Sequence, residues 1–238
     1  LHAYRANRPQ GIGPGGGTWR DGLTHRRAGS PGIYLAGPTV FEPEPETRFS
    51  EMKAICARHG LEGVSPLDNQ IGLEGLAPGR TLLRRIVSAD IALMQRLDGG
   101  VFCLDGFRGA PEMDAGTAFE IGYMAALGKP MAGWTSDPRQ YPLKVQHYFE
   151  RGMGAALVPA QAGAKGGTSG LQRDPHGMLV HSEGCVQNAM TEIGIELNGG
   201  AVFADSDWTV AFDAAVALLA RTFAARPTPE GGLNPALR

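Results

Sequence analysis

A chain of 238 residues, 42% hydrophobic and 19% charged, is long enough for one α/β domain with a single buried core and too apolar to be disordered. Its formal net charge of −2 offers no grip on a nucleic-acid backbone, and no stretch has the run of about 18 apolar residues that a membrane span requires. The widely spaced Cys56, Cys103 and Cys185 read as reduced core residues of a cytoplasmic protein.

Residues 1–31 read as a flexible arm, because the glycine run at 11–17 is flanked by arginines and has little to bury. The run superficially looks like a dinucleotide fingerprint, but no strand precedes it and no apolar helix follows. No apolar stretch of a secretory signal follows the arginines either. The folded domain is expected over 32–226. It begins with Ile33-Tyr34-Leu35-Ala36, a buried strand stopped by Gly37-Pro38. Phe49, Met52 and Cys56 recur at helical spacing, with Gly60 placed to end that helix. A short strand follows at 61–66, a helix at 80–97, a strand at 99–104, a helix at 115–127 closed by Gly128, and a strand at 130–134. Strands alternating with helices in this way predict a parallel sheet covered on both faces.

Beyond this point the pattern weakens. Residues 137–148 contain two prolines and receive no assignment, and the glycine-rich stretch 163–170 reads as a loop without the Lys-Ser/Thr ending of a phosphate loop. Val186, Met190, Ile193 and Leu197 mark one apolar helix face, and Phe212, Val216, Leu219 and Phe223 mark another, with Ser206 or Asp207 as its N-cap. Residues 227–238 read as a trailing tail. None of the six histidines has metal-ligand spacing with another His or Cys, so no metal is expected.

Two carboxylates break apolar stripes. Asp90 stands in the stripe of Leu83, Val87 and Met94, where the pattern asks for a hydrocarbon. Burying an unpaired charge costs several kcal/mol or raises its pKa, so Asp90 needs a function or a partner such as Arg84 or Arg85. Glu120 lies in a helix with almost no other charge, following the strand that ends near Asp105. Ligands of open α/β sheets bind outside the carboxyl ends of the strands, which places Glu120 at a cleft. The helix dipole is expected to help keep it ionised, and Gly116 and Gly122 let other atoms approach the backbone. Asp114 has two readings, N-cap and site residue.

Ile33 to Pro38, Leu67-Asp68-Asn69-Gln70, residues 114–129 and Asn188-Ala189-Met190, in that order, resemble the signature segments of the nucleoside 2-deoxyribosyltransferase family. The resemblance spans roughly residues 32–198. It implies a flavodoxin-like or Rossmann-like parallel sheet with helices on both faces, and no cofactor. By the same resemblance Glu120 is the nucleophile, Tyr34 the tyrosine that orients it and Asp90 the aspartate facing the base. Gln70 and Phe41 hold the base edge and face, Asp114 binds a sugar hydroxyl, and Asp68, Gly37, Pro38 and Gly116 line the substrate site. Asn188 and Met190 reach into a neighbouring subunit's pocket, which implies a homo-oligomer with shared sites. The arm before Gly32 and the insertion near Gly163 depart from the family pattern.

The chemistry implied is exchange of nucleobases on 2′-deoxyribose, with free bases and 2′-deoxynucleosides as small-molecule partners. An N-glycosidic bond breaks through an oxocarbenium-like state, so one carboxylate must meet C1′ while an acid protonates the leaving base. Glu120 and Asp90 suit those roles. Two alternatives stand beside this one: a nucleoside 5′-monophosphate N-hydrolase, which needs a phosphate pocket, and a noncatalytic nucleotide-binding module.

Overall fold

A computed structural model describes residues 30–69, 77–160, 171–180 and 183–225. Gln70, His181, the glycine-rich stretch 163–170, most of the expected arm and the tail 227–238 lie outside the described residues. The strands, in chain order, are β1 (Gly32–Ala36), β2 (Glu62–Val64), β3 (Gly99–Cys103), β4 (Met131–Thr135), β5 (Val158–Pro159), β6 (Gln172–Arg173), β7 (Leu179–Val180) and β8 (Val202–Ala204). The helices are α1 (Pro45–Arg58), α2 (Arg80–Arg96), α3 (Ala115–Ala126), α4 (Tyr141–Met153), α5 (Ala189–Leu197) and α6 (Trp208–Ala224).

Five strands form one parallel sheet in the order β2-β1-β3-β4-β8, while β5, β6 and β7 form a small antiparallel sheet. The main sheet has the flavodoxin-type strand order, with its switch point between β1 and β3, where a ligand crevice is expected. Strand alternation sorts the core into two layers. Ile33, Leu35, Val101, Cys103, Ala132 and Trp134 pack with residues of α1 and α6, including Phe49, Met52 and Phe212. Tyr34, Ala36, Phe102 and Leu104 pack with Leu93 and Met94 of α2, Ile121 and Met124 of α3 and Ile195 of α5.

Local chemistry sets the element ends. Gly60 and Gly128 follow α1 and α3 with φ of 74° and 64°, the left-handed backbone expected of residues just past a helix. Asp207 caps α6, its side chain accepting from Thr209 N at 2.9 Å. Helix α4 occupies the stretch that received no assignment. Pro142 sits in its first turn, where the missing N–H has no intrahelical partner to lose.

Three expectations require correction. Cys185 is half-buried among the charges of Glu183, Glu192 and Glu196, not part of an apolar core. The apolar face of α5 points outward: Met190 and Leu197 are 84% and 82% exposed, and Thr191 and Ile195 are the buried residues. The stripe on α2 is buried at Met94 alone, with Leu83 59% and Val87 52% exposed. In both helices the period is right, but among the described residues nothing covers the N-terminal half of α2 or the outer face of α5. Among the described residues, no helix is long and apolar enough to cross a membrane.

Candidate active site

Tyr34 lies in the middle of β1, beside Val64 of β2 and Gly100 of β3, and its side chain is fully buried against the α3 side of the sheet. Its hydroxyl donates to Glu120 Oε1 at 2.6 Å, joining the central strand to the carboxylate of α3. A buried phenol needs a polar partner, and this one finds a carboxylate.

Glu120 is the sixth residue of α3, beyond the first turn where the helix dipole acts strongly. The expected ionising help is overruled. Burial raises its carboxyl from 4.5 to about 7; the Tyr34 hydrogen bond pulls the other way, and the charges of Asp90 and Asp114 add to the rise. Asp90 is raised by burial to about 6 and is not paired with Arg84 or Arg85. The Tyr34 hydroxyl is raised well above its ordinary range, chiefly by burial and then by the charges of Glu120 and Asp90, so it remains a proton donor. The result is two neighbouring carboxyl groups that titrate near neutrality, one held by a phenol.

Asp114 is the N-cap of α3. Its Oδ2 accepts from Thr117 N at 2.9 Å and from Thr117 Oγ1 at 3.1 Å. Gly116 gives this carboxylate room, since a Cβ there would stand 2.9 Å from Asp114 Oδ2. Gly37 ends β1 with φ 157°, where a Cβ would stand 2.7 Å from Cys103 Cβ of β3. This close approach requires glycine, and Pro38 then opens the short 3-10 turn Pro38–Phe41. Phe41 is 61% exposed.

Asp68 is committed elsewhere. Its oxygens accept from Ser65 N at 2.8 Å, Ser65 Oγ at 2.9 Å and Lys53 Nζ at 2.6 Å, turning the carboxylate toward α1. There it lines a cavity of about 170 Å³ with Lys53, Ser65 and Phe49, beside the sheet face opposite Tyr34. Asn188 caps α5, accepting from Met190 N at 2.9 Å, and both residues are exposed. Among the described residues neither makes a hydrogen bond with Glu120. Among the described residues no group of three or more His, Cys, Asp or Glu is arranged to hold a metal ion.

Residues 33–190 match the nucleoside 2-deoxyribosyltransferase family. The chain belongs to that family. The uncharacterized protein C191.05c of Schizosaccharomyces pombe is 50% identical to it over 190 residues, which span 80% of this chain and 89% of the relative. A solved 2-desoxiribosyltransferase from Leishmania mexicana shares the fold with a TM-score of 0.51 and 24% identity, over 78% of this chain and 97% of that one. The family consists of glycosyl-transferring enzymes whose small-molecule substrates are nucleosides and nucleobases.

Within this family frame the structure adds residues to which the sequence gives no role of their own. Asn69 Nδ2 donates to the carbonyl of Ala89 at 2.8 Å, tying the turn after β2 to the residue beside Asp90. Phe107, in the loop after β3, packs on Phe41 with ring centroids 5.4 Å apart, and Arg108 lies over Phe107 at 4.6 Å. Their only sequence signal is a Phe-Arg pair at the carboxyl end of a strand, where α/β sheets keep their ligands.

Proposed function

We propose that this chain transfers a 2-deoxyribosyl group from one nucleobase to another through a covalent sugar ester on Glu120. The observation that carries the reading is the Tyr34–Glu120 hydrogen bond of 2.6 Å, formed beside Asp90, whose carboxyl is also raised. The free Glu120 oxygen attacks C1′ of a 2′-deoxynucleoside. The C1′–N bond breaks with its electron pair going to the base, and Asp90 supplies a proton to that base. A nitrogen of a second base then attacks C1′, the ester bond breaks to restore the carboxylate, and Asp90 recovers a proton. Two inversions leave the anomeric configuration retained. Tyr34 fixes the carboxylate and carries part of its charge through each step.

In this reading Phe41 offers its open ring to the base, Asp114 takes a sugar hydroxyl with its second oxygen, and Gly37, Pro38 and Gly116 line the crevice. Incubating the protein with deoxyinosine and adenine tests the reaction. New deoxyadenosine and free hypoxanthine are expected. Free deoxyribose alone would make the protein a hydrolase, and binding without turnover would make it a noncatalytic module.

The site is shared between subunits, with Asn188 and Met190 supplied by a neighbour. The outward face of Met190, Ile193 and Leu197 on α5, with Phe119 of α3, which packs against α5, supports this, because exposed apolar residues of this kind mark association surfaces. Co-expressed Glu120→Ala and Asn188→Ala subunits should therefore regain activity, since one pocket of a mixed dimer keeps both residues. Verified heterodimers as inactive as their parents would remove Asn188 from the partner's site.

A further inference from the structure

The loop from β3 to α3 is a small hairpin. Gly106 bridges Met113 in antiparallel fashion, Phe107 N donates to Glu112 O at 2.8 Å, and Ala110 N donates to Phe107 O at 3.0 Å. The two residues at its tip, Arg108 and Gly109, have φ of 55° and 80°, the signs of a type I′ turn. Such a turn favours Asn, Asp or Gly at its first central position, and Arg is a costly occupant there. Arg108 is the one non-glycine residue with positive φ among the described residues. A strained backbone outlier beside a candidate active site is grounds for a functional hypothesis.

The side chain shows what the strain achieves. The guanidinium lies 4.6 Å from the ring centroid of Phe107 and 5.9 Å from that of Phe41, and these rings bridge the loops that follow β1 and β3. The cation is thus held over the switch point of the sheet. It makes no ion pair with any described residue, so among these residues its charge is not neutralised. Stacking occupies the faces of a guanidinium and leaves its edge, which carries five N–H donors and no acceptor, free.

We propose that Arg108 is a specificity residue that selects oxo-bases over amino-bases, by donating to the exocyclic carbonyl oxygen of a base lying on Phe41. This rests on the deoxyribosyl-transfer reading. A carbonyl at C6 of a purine or C4 of a pyrimidine accepts from the guanidinium edge. An amino group at the same position sets donor against donor. Hypoxanthine and uracil are therefore bound in preference to adenine and cytosine, and selectivity comes from the mismatch as much as from the match.

Arg108→Asn tests this, because asparagine tolerates positive φ and carries both a donor and an acceptor. The donors to compare are deoxyinosine, deoxyadenosine and unsubstituted purine 2′-deoxyriboside. The parent should favour deoxyinosine over deoxyadenosine in kcat/KM by about tenfold, the scale of one discriminating hydrogen bond. The variant should lose that preference while changing less than about twofold on the unsubstituted donor. Calorimetric binding of free hypoxanthine and adenine gives a readout that needs no turnover, and the parent's preference for hypoxanthine should vanish in the variant. Equal losses on all three donors, or a parent that prefers the amino base, would overturn the assignment with the transfer reading intact. A parent that turns over no deoxynucleoside and binds neither base would overturn both.

Discussion

On the face of the sheet covered by α1 and α6, the inward residues Ile33, Leu35, Val101, Cys103, Ala132 and Trp134 meet side chains such as Met52, Phe212 and Val216. On the opposite face the same strands present Tyr34 among Ala36, Phe102 and Leu104, and α2 and α3 answer with Asp90 and Glu120 as well as Met94 and Met124. One layer spends its burial on stability. In the other, burial also raises two carboxyl groups into the range where a proton can move at neutral pH. The contrast shows how a single doubly covered sheet separates holding the chain together from acting on a ligand.

The sharpest way to break this comparison is Glu120→Gln. Activity should fall by about 10³-fold or more, since amide oxygen is a poor nucleophile. Stability should rise. The folded carboxyl is raised from 4.5 to about 7, so its contribution to stability is complete below about pH 4.5 and is lost as pH climbs through about 7. The gain in Tm should be larger at pH 8 than at pH 5, and equal gains at both would place Glu120 in a solvated, ordinary environment. The parent enzyme itself should show greatest activity between about pH 6 and 7, where Asp90 and Glu120 together hold one proton.

The complementary test on the other layer is Phe212→Ala. Phe212 is fully buried and packs edge-on to Trp134 with centroids 5.8 Å apart. Denaturant unfolding should show a loss of about 3–5 kcal/mol, the usual cost of emptying such a site. The protein that remains folded should keep its pH profile. A shifted profile would mean that the two layers are coupled.

Much of this separation was legible in the sequence. Ile33 to Ala36 announced a buried strand, and Glu120 stood out as a lone charge in an apolar helix. Helix α4 was not legible, because Pro142 suggests a break unless it is known to fall in a first turn. Strand β8 is three residues long and carries too little alternation to declare itself. The apolar period of α5 was correct, yet period does not tell which way a face points, and Met190 and Leu197 face outward. Phe107 and Arg108 belong to a loop, where no periodicity exists to read, and their meaning comes from the approach of Phe41 across the sheet.

Asp114 offers the smallest effect and the finest division between holding and acting, because one of its oxygens is already spent. Oδ2 caps α3 through Thr117 N and Thr117 Oγ1, while the proposed reaction assigns the second oxygen to a sugar hydroxyl. Asparagine caps a helix about as well as aspartate, so Asp114→Asn should leave stability within about 0.5 kcal/mol, whereas Asp114→Ala should cost about 1 kcal/mol. Binding separates the roles differently. If the second oxygen holds the sugar, both variants should raise KM for the deoxynucleoside by about tenfold or more, since each removes a charge-assisted hydrogen bond. The negative charge of Asp114 also raises Glu120, the higher-titrating of the two carboxyl groups, so both variants should move the alkaline limb of the pH profile to lower pH. An Asp114→Asn enzyme with unchanged KM would leave Asp114 as a cap alone, acting on the reaction only through the charge it sets beside Glu120.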